Sequence, residues 1–286
     1  LGVHALVFAG SWSPADRERA IGGAAALGYD LIEIPLLDPG KVDAAATAKL
    51  LEAHKIKGVT SLGLNFQADI SSAEEETARR GEALLERALA ATRDLGARYM
   101  GGVIYSALGK YPGPPTEKGR QNCVEALARL AAKAKANGIT LGLEPVNRYE
   151  TNLINTGEQA LAIIAATRAD NIVVHLDTYH MNIEEGDLAR CVQRCGDKVG
   201  YLHVGESHRG YLGTGTIDFD RIFRALVGIG YGGPITFESF SSAVVDPTLS
   251  NVLAVWRNLW SDSADLAGHA KRFIESHWTA ARHAAA

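Results

Sequence analysis

The chain has 286 residues, 47% of them hydrophobic and 22% charged, enough apolar material for a sizeable core and an ordinary charge load for a soluble globule. Lys and Arg number 29 against 33 Asp and Glu, a formal net charge of −4 without a basic block, which argues against a nucleic-acid or anionic-membrane partner. No apolar run approaches the roughly 18 residues of a membrane span, and residues 1–10, without a basic flank, do not read as a signal peptide. Cys123, Cys191 and Cys195 are too sparse and odd in number for a disulfide framework. Cys191 and Cys195, one helical turn apart without a His pair, make a poor zinc site. All three read as reduced structural thiols in a cytoplasmic protein.

In chain order, short apolar, β-branched runs alternate with longer helical stretches. Strands are predicted at residues 3–8, 30–34, 58–64, 99–104, 140–144, 172–177, 199–203 and 234–238. Ser13 and Pro14 supply a cap and a first-turn proline. Residues 74–95 and 116–137 are rich in Ala, Leu, Glu and Arg, with apolar recurrence at three and four. Gly28, Gly96, Gly138 and Gly230 stand where a helix closes before the next strand. Such alternation implies parallel pairing, and eight units close into one (β/α)₈ TIM barrel spanning 1–286. No glycine fingerprint follows the first strand, so a dinucleotide-binding sheet loses ground. A tail of extra C-terminal helices, from about 248 to 286, carries Trp256, Trp260 and Trp278 at helical spacings. These aromatics seal the barrel bottom, form a subunit contact or cover the protein's own core.

In such barrels active sites form at the C-terminal strand ends. Strand five ends in Glu144, strand six in Asp177, strand seven in His203 and strand eight in Glu238; strand two carries Glu33 near its end. Adjacent strands lie about 4.8 Å apart, so the four side chains can converge on a space one ion wide. Three carboxylates packed together repel one another, and a divalent cation removes that penalty. Three oxygens and an imidazole suit manganese, magnesium or cobalt better than a structural zinc. Any one of these acids alone is also explained as a helix cap or salt-bridge partner. Four in register are not.

Residues 144–150, 177–185 and 203–210 bring Glu, His, Arg and Asn onto the rim, suited to sugar hydroxyls. His180 is equally placed to cap the following helix, and Arg209 to pair with Glu206 on the surface. His175, two residues before Asp177, points one layer deeper and reads as a hydrogen-bonded core histidine. Gly213, Thr214 and Gly215 form a turn, since no Lys-Ser/Thr pair follows for a phosphate loop. Residues 109–115, rich in Gly and Pro, are the candidate mobile rim or lid.

Residues 143–150 (LEPVNRYE), 175–185 (HLDTYHMNIEE), 203–206 (HVGE) and 237–240 (FESF) resemble the ketose 3-epimerases, which include D-tagatose, D-allulose (D-psicose) and L-ribulose 3-epimerases. The likeness runs essentially from end to end. Residues 205–215 (GESHRGYLGTG) are closest to the D-allulose and L-ribulose branch. The resemblance implies a xylose-isomerase-like barrel in which Glu144, Asp177, His203 and Glu238 bind one divalent metal, Mn²⁺ first, with Mg²⁺ or Co²⁺ as alternatives. It also implies Glu144 and Glu238 as catalytic acid and base. Glu150, His180 and Arg209 would hold the substrate near O1, O2 and O3, and Phe8 and Trp12 would help to line the pocket. Phe8 stands where many relatives carry Tyr or Trp, and Ser61 where some carry Cys.

The implied reaction is epimerisation of free ketoses at C3 through a cis-enediolate, on D-allulose/D-fructose or L-ribulose/L-xylulose type substrates. The implied protein is a cytoplasmic homodimer or homotetramer. The nearest alternative is an aldose–ketose or hydroxypyruvate-type isomerase on a related barrel. A metal-dependent hydrolase of abasic DNA would want a basic groove, against which the net charge of −4 stands. A sugar-binding module without catalysis would have no use for two carboxylates flanking one carbon.

Overall fold

The computed structural model describes residues 1–285. Eight parallel strands close into a barrel in chain order, with β8 pairing back to β1. The first half runs β1 (Gly2–His4), α1 (Pro14–Ala26), β2 (Leu31–Pro35), α2 (Ala44–His54), β3 (Lys57–Leu64), α3 (Glu75–Asp94), β4 (Tyr99–Ala107) and α4 (Glu117–Ala136). The second half runs β5 (Thr140–Leu143), α5 (Gly157–Thr167), β6 (Ile172–Asp177), α6 (Thr178–Glu184), α7 (Leu188–Cys195), β7 (Val199–Val204), α8 (Phe219–Gly228) and β8 (Ile235–Phe237). Two helices follow, α9 (Pro247–Val252) and α10 (Ser263–Ala285). This is the (β/α)₈ TIM barrel that the alternation implies. Cys123, Cys191 and Cys195 are free and buried, and no described helix is long and apolar enough to cross a membrane.

Local chemistry sets the helix starts. The Ser13 hydroxyl accepts the Asp16 amide at the head of α1, with Pro14 at the first position. At α5, Thr156 and Gln159 exchange side-chain and backbone bonds in a capping box.

Two differences from the predicted strands bear on the site. The run 3–8 is strand only as far as His4. There the His4 Nδ1 accepts the Leu6 amide at 3.2 Å, and the chain tightens into a 3₁₀ turn over Ala5–Val7. β5 and β8 also stop one residue early. Even so, the Glu144 amide donates to the Gly102 carbonyl at 3.2 Å and the Glu238 amide to Val204 at 3.1 Å. Both glutamates therefore leave the rim in ladder register.

The tail is part of the barrel. α10 takes the eighth helix position between α8 and α1, with Tyr29 donating to the Ala267 carbonyl at 2.8 Å and Trp278 lying edge-on to Phe223. α9 instead crosses the C-terminal mouth. The three tryptophans thus part company: Trp278 packs on the core, Trp260 is buried and Trp256 is 72% exposed.

At the N-terminal end of the strands the interior is filled by Leu31, Val59, Tyr99 and Tyr201, the two tyrosine rings stacked at 4.5 Å. Tyr99 needs space that only glycine leaves. A Cβ on Gly142 would meet its hydroxyl at 1.8 Å, and one on Gly101 at 2.6 Å. Gly142→Ala is therefore expected to destabilise the fold by about 1–3 kcal/mol through overpacking. Gly113→Ala, with nothing within 4 Å of the added carbon, should change little. Denaturant midpoints for the two variants check this.

Candidate metal and active site

Asp177, the last residue of β6, and His203 on β7 are register partners, and Glu144 and Glu238 directly follow β5 and β8. One donor atom from each of the four lies within 4.8 Å of all the others, and all four residues are buried. His203 Nδ1 is the hub, 3.4 Å from Glu144 Oε1 and 3.5 Å from both Asp177 Oδ2 and Glu238 Oε1. Neither Nδ1 nor Asp177 Oδ2 has a hydrogen-bond partner among the described residues. Leaving such atoms buried and unsatisfied costs about 1–3 kcal/mol each. A divalent cation among the four donors satisfies both, and hard carboxylate oxygens are its natural ligands.

Two of the carboxylates turn one oxygen to this space and fix the other elsewhere. Asp177 Oδ1 accepts the Tyr179 and His180 amides at 2.6 and 3.2 Å, capping α6. The helix-cap and ligand readings of Asp177 are thus both realised, on different oxygens. Glu238 Oε2 accepts from Arg209 Nη1 at 2.9 Å. Glu206 does not pair with Arg209; its carboxylate takes the Ser207 and Gly213 amides and shapes the turn at 213–215. The Arg209 guanidinium lies between the rings of Tyr179 and Phe240, at 3.8 and 4.7 Å.

His180 has its tautomer set by the backbone. Its Nδ1 accepts the Asn147 amide at 3.1 Å, so the ring proton sits on Nε2, which stands 3.9 Å from Glu144 Oε1 and 3.5 Å from Arg209 Nη2. Two donors facing each other leave room for an acceptor between them. Glu150 Oε1 accepts from Asn147 Nδ2 at 2.8 Å and lies 3.9 Å from Arg209 Nη2. These groups line a cavity of about 170 Å³. Its other walls are mostly apolar, among them Leu36, Leu62, Val103, Leu108, Leu249 and Leu253, with His4, Glu33 and Ser61 as the polar exceptions.

The two glutamates differ electrostatically. Burial pushes the Glu238 carboxyl up to about 8, reinforced by Asp177 and Glu144 and opposed by His203 and Arg209. At Glu144 burial acts the same way but is outweighed by His175 and His203, and the carboxyl stays below its usual range. The two carboxyls are thus pushed in opposite directions. Acid–base catalysis needs that division.

Four expectations change. Phe8 and Trp12 do not line this cavity: the 3₁₀ turn after His4 carries Phe8 against Gly23 of α1, and the Trp12 indole donates to Thr47 of α2. His4 and Leu6 face the cavity instead. Residues 109–115 are tied down, Gly109 donating to the Glu150 carbonyl and the Gly113 carbonyl accepting from Asn152, while Tyr111 is bonded to Asp69. The cover comes from α9 and the turn after it, through Leu249 and Leu253. His175 is fully buried, yet both ring nitrogens lack hydrogen-bond partners among the described residues; it packs edge-on to Tyr201 and His203, and burial holds its pKa down at about 4. The roles of His4 and Asn147 had one visible signal each, a histidine inside an apolar strand and an amide in the loop after strand five.

The family described as Xylose isomerase-like TIM barrel matches residues 21–276. The L-ribulose 3-epimerase of Methylomonas sp. (strain DH-1) is 53% identical over 277 residues, 97% of each chain. The ketose 3-epimerase of Arthrobacter globiformis is 46% identical over 280 residues, covering 98% of this chain and 97% of its own. Among solved structures, the D-allulose 3-epimerase from Methylomonas sp. in complex with D-allulose matches with a TM-score of 0.95 at 53% identity over 96% of both chains. Identity at this level along almost the whole barrel, with the donor cluster assembled at its mouth, means that the chain belongs to the ketose 3-epimerase family of isomerases.

Proposed function

We propose that the chain inverts C3 of free ketoses of the D-allulose/D-fructose and L-ribulose/L-xylulose type. The observation that carries this is the placement of Glu144 and Glu238 just beyond the ends of β5 and β8, 3.4 and 3.5 Å from the same His203 nitrogen. The substrate class is supported by the relatives named for L-ribulose and by the D-allulose complex.

Glu144, Asp177, His203 and Glu238 would hold the ion, with Mn²⁺ ahead of Mg²⁺ or Co²⁺ on the mixed oxygen and imidazole set. When bound, the ion supplies Lewis-acid polarisation of the ketone beside C3. The chain's own groups do the rest. His180 Nε2–H and the Arg209 guanidinium donate to substrate oxygens at the C1–C3 end, and Glu150 accepts from a hydroxyl. The apolar wall keeps bulk water away and so strengthens these contacts.

Inversion requires a proton to leave one face and return on the other. Glu238 takes the C3 proton in one direction while Glu144 gives its own to the opposite face. The two carboxyls exchange protonation states and the sugar keeps its hydrogen count. In the reverse direction the roles swap, and exchange with solvent resets the pair.

In ²H₂O, L-ribulose or D-fructose should yield the C3 epimer with deuterium at C3. An aldose product would assign the chain to aldose–ketose isomerisation, and absence of solvent label at C3 would refute the two-carboxyl route. Glu144→Gln and Glu238→Gln should each lower turnover by about 10²–10⁴-fold with an unchanged circular dichroism spectrum. Chelation should abolish turnover and Mn²⁺ or Co²⁺ restore it; full activity in either variant would remove that residue from the mechanism. Cation uptake should also tighten as pH rises. Below a pKa of about 8, Glu238 must lose a proton to become a ligand, so affinity should climb by about tenfold per pH unit for each proton released. Calorimetric titration with Mn²⁺ between pH 6 and 8 checks the sign and the proton count.

A further inference from the structure

Glu33 is fully buried on β2, and the proposed donor set does not include it. Its Oε2 stands 2.7 Å from His203 Nε2, the ring nitrogen opposite the one that faces the three carboxylates. The imidazole therefore separates Glu33 from the cation space, which rules it out as a direct ligand. A carboxylate in that position accepts the Nε2 proton, leaves the Nδ1 lone pair free and locks the ring plane. His4 completes the arrangement from β1. Its Nδ1 is occupied by the Leu6 amide, so its proton is on Nε2, 3.6 Å from Glu33 Oε1. Glu33 Oε1 has no hydrogen-bond partner among the described residues, and the His4 Nε2–H is the donor that faces it. The early end of β1 acquires a purpose here, since the 3₁₀ turn provides the amide that orients His4.

We propose that Glu33 is a positioning residue: it fixes the tautomer and orientation of His203, and through His203 it sets how tightly the site holds its cation. This rests on the reading of Glu144, Asp177, His203 and Glu238 as the ligands. Glu33 is not a metal ligand in this role, so its removal should appear first in cation affinity.

The test titrates the metal-stripped full chain with Mn²⁺ alone, following free Mn²⁺ by electron paramagnetic resonance. Glu33→Ala should weaken Mn²⁺ binding by about 10–100-fold, and Glu33→Gln, which keeps volume and an acceptor oxygen, by less. The Co²⁺-loaded Glu33→Ala chain should also show a shifted visible absorption band. Should Glu33→Ala not fold, the isosteric Glu33→Gln carries the test alone, with at least a threefold loss expected. A Mn²⁺ dissociation constant within twofold of wild type in the folded variants, even with a lowered melting temperature, would show a packing role only and overturn the inference. Failure of the wild-type chain to bind Mn²⁺ would instead overturn the ligand reading itself.

Discussion

Three carboxylates cannot share a dry space in their ionised forms. Like charges within 4.8 Å, at an effective dielectric of about 20, repel by about 3–4 kcal/mol per pair. That is a large fraction of a domain's net stability. Burial pushes the Glu238 carboxyl up, and His203 Nδ1 and Asp177 Oδ2 lack partners among the described residues. A divalent ion resolves all three problems at once. Much of the remaining architecture at the barrel mouth serves to keep the four donors aimed at one point.

The fixing is done by groups outside the ligand set. The first amides of α6 hold Asp177, Arg209 holds Glu238, and Glu33 holds His203. Arg209 is itself elaborately secured. Its backbone is left-handed at φ 61°, an unfavourable conformation for a side chain with a Cβ. The Ser239 hydroxyl donates to its carbonyl at 2.5 Å, and the buried Trp260 indole donates to Ser239 at 2.8 Å. The tail thereby reaches the reaction site twice, once through this chain of bonds and once through Leu249 and Leu253 over the cavity. A site built on strand ends and held by such contacts needs little reorganisation when charge develops.

Much of this was legible in the chain itself. Eight alternating units, four of their helices closed by a glycine, carry the barrel, because period and punctuation are local properties. Glu144, Asp177, His203 and Glu238 follow from reading the last residue of four successive strands, since a barrel sends strand ends to one rim. Local pattern misled where a side chain competed with the ladder. The run 3–8 looks like uninterrupted strand, and only the His4 ring accepting the Leu6 amide reveals the turn that moves Phe8 away from the cavity. In the same way Gly and Pro at 109–115 suggest mobility, whereas contacts with Glu150, Asn152 and Asp69, distant in sequence, tie that loop down.

Fold class, strand order and the identity of the four donors are thus properties of the linear chain, because they depend on periodicity and on residue type at strand ends. Which oxygen of Asp177 is free, which nitrogen of His180 carries the proton, what stands behind His203 and which segment roofs the cavity are different in kind. Apart from the Asp177 cap, which is local, each is settled by pairings across tens to hundreds of residues, Glu33 with His203 above all. Distance and direction between such groups exist only once the barrel has closed.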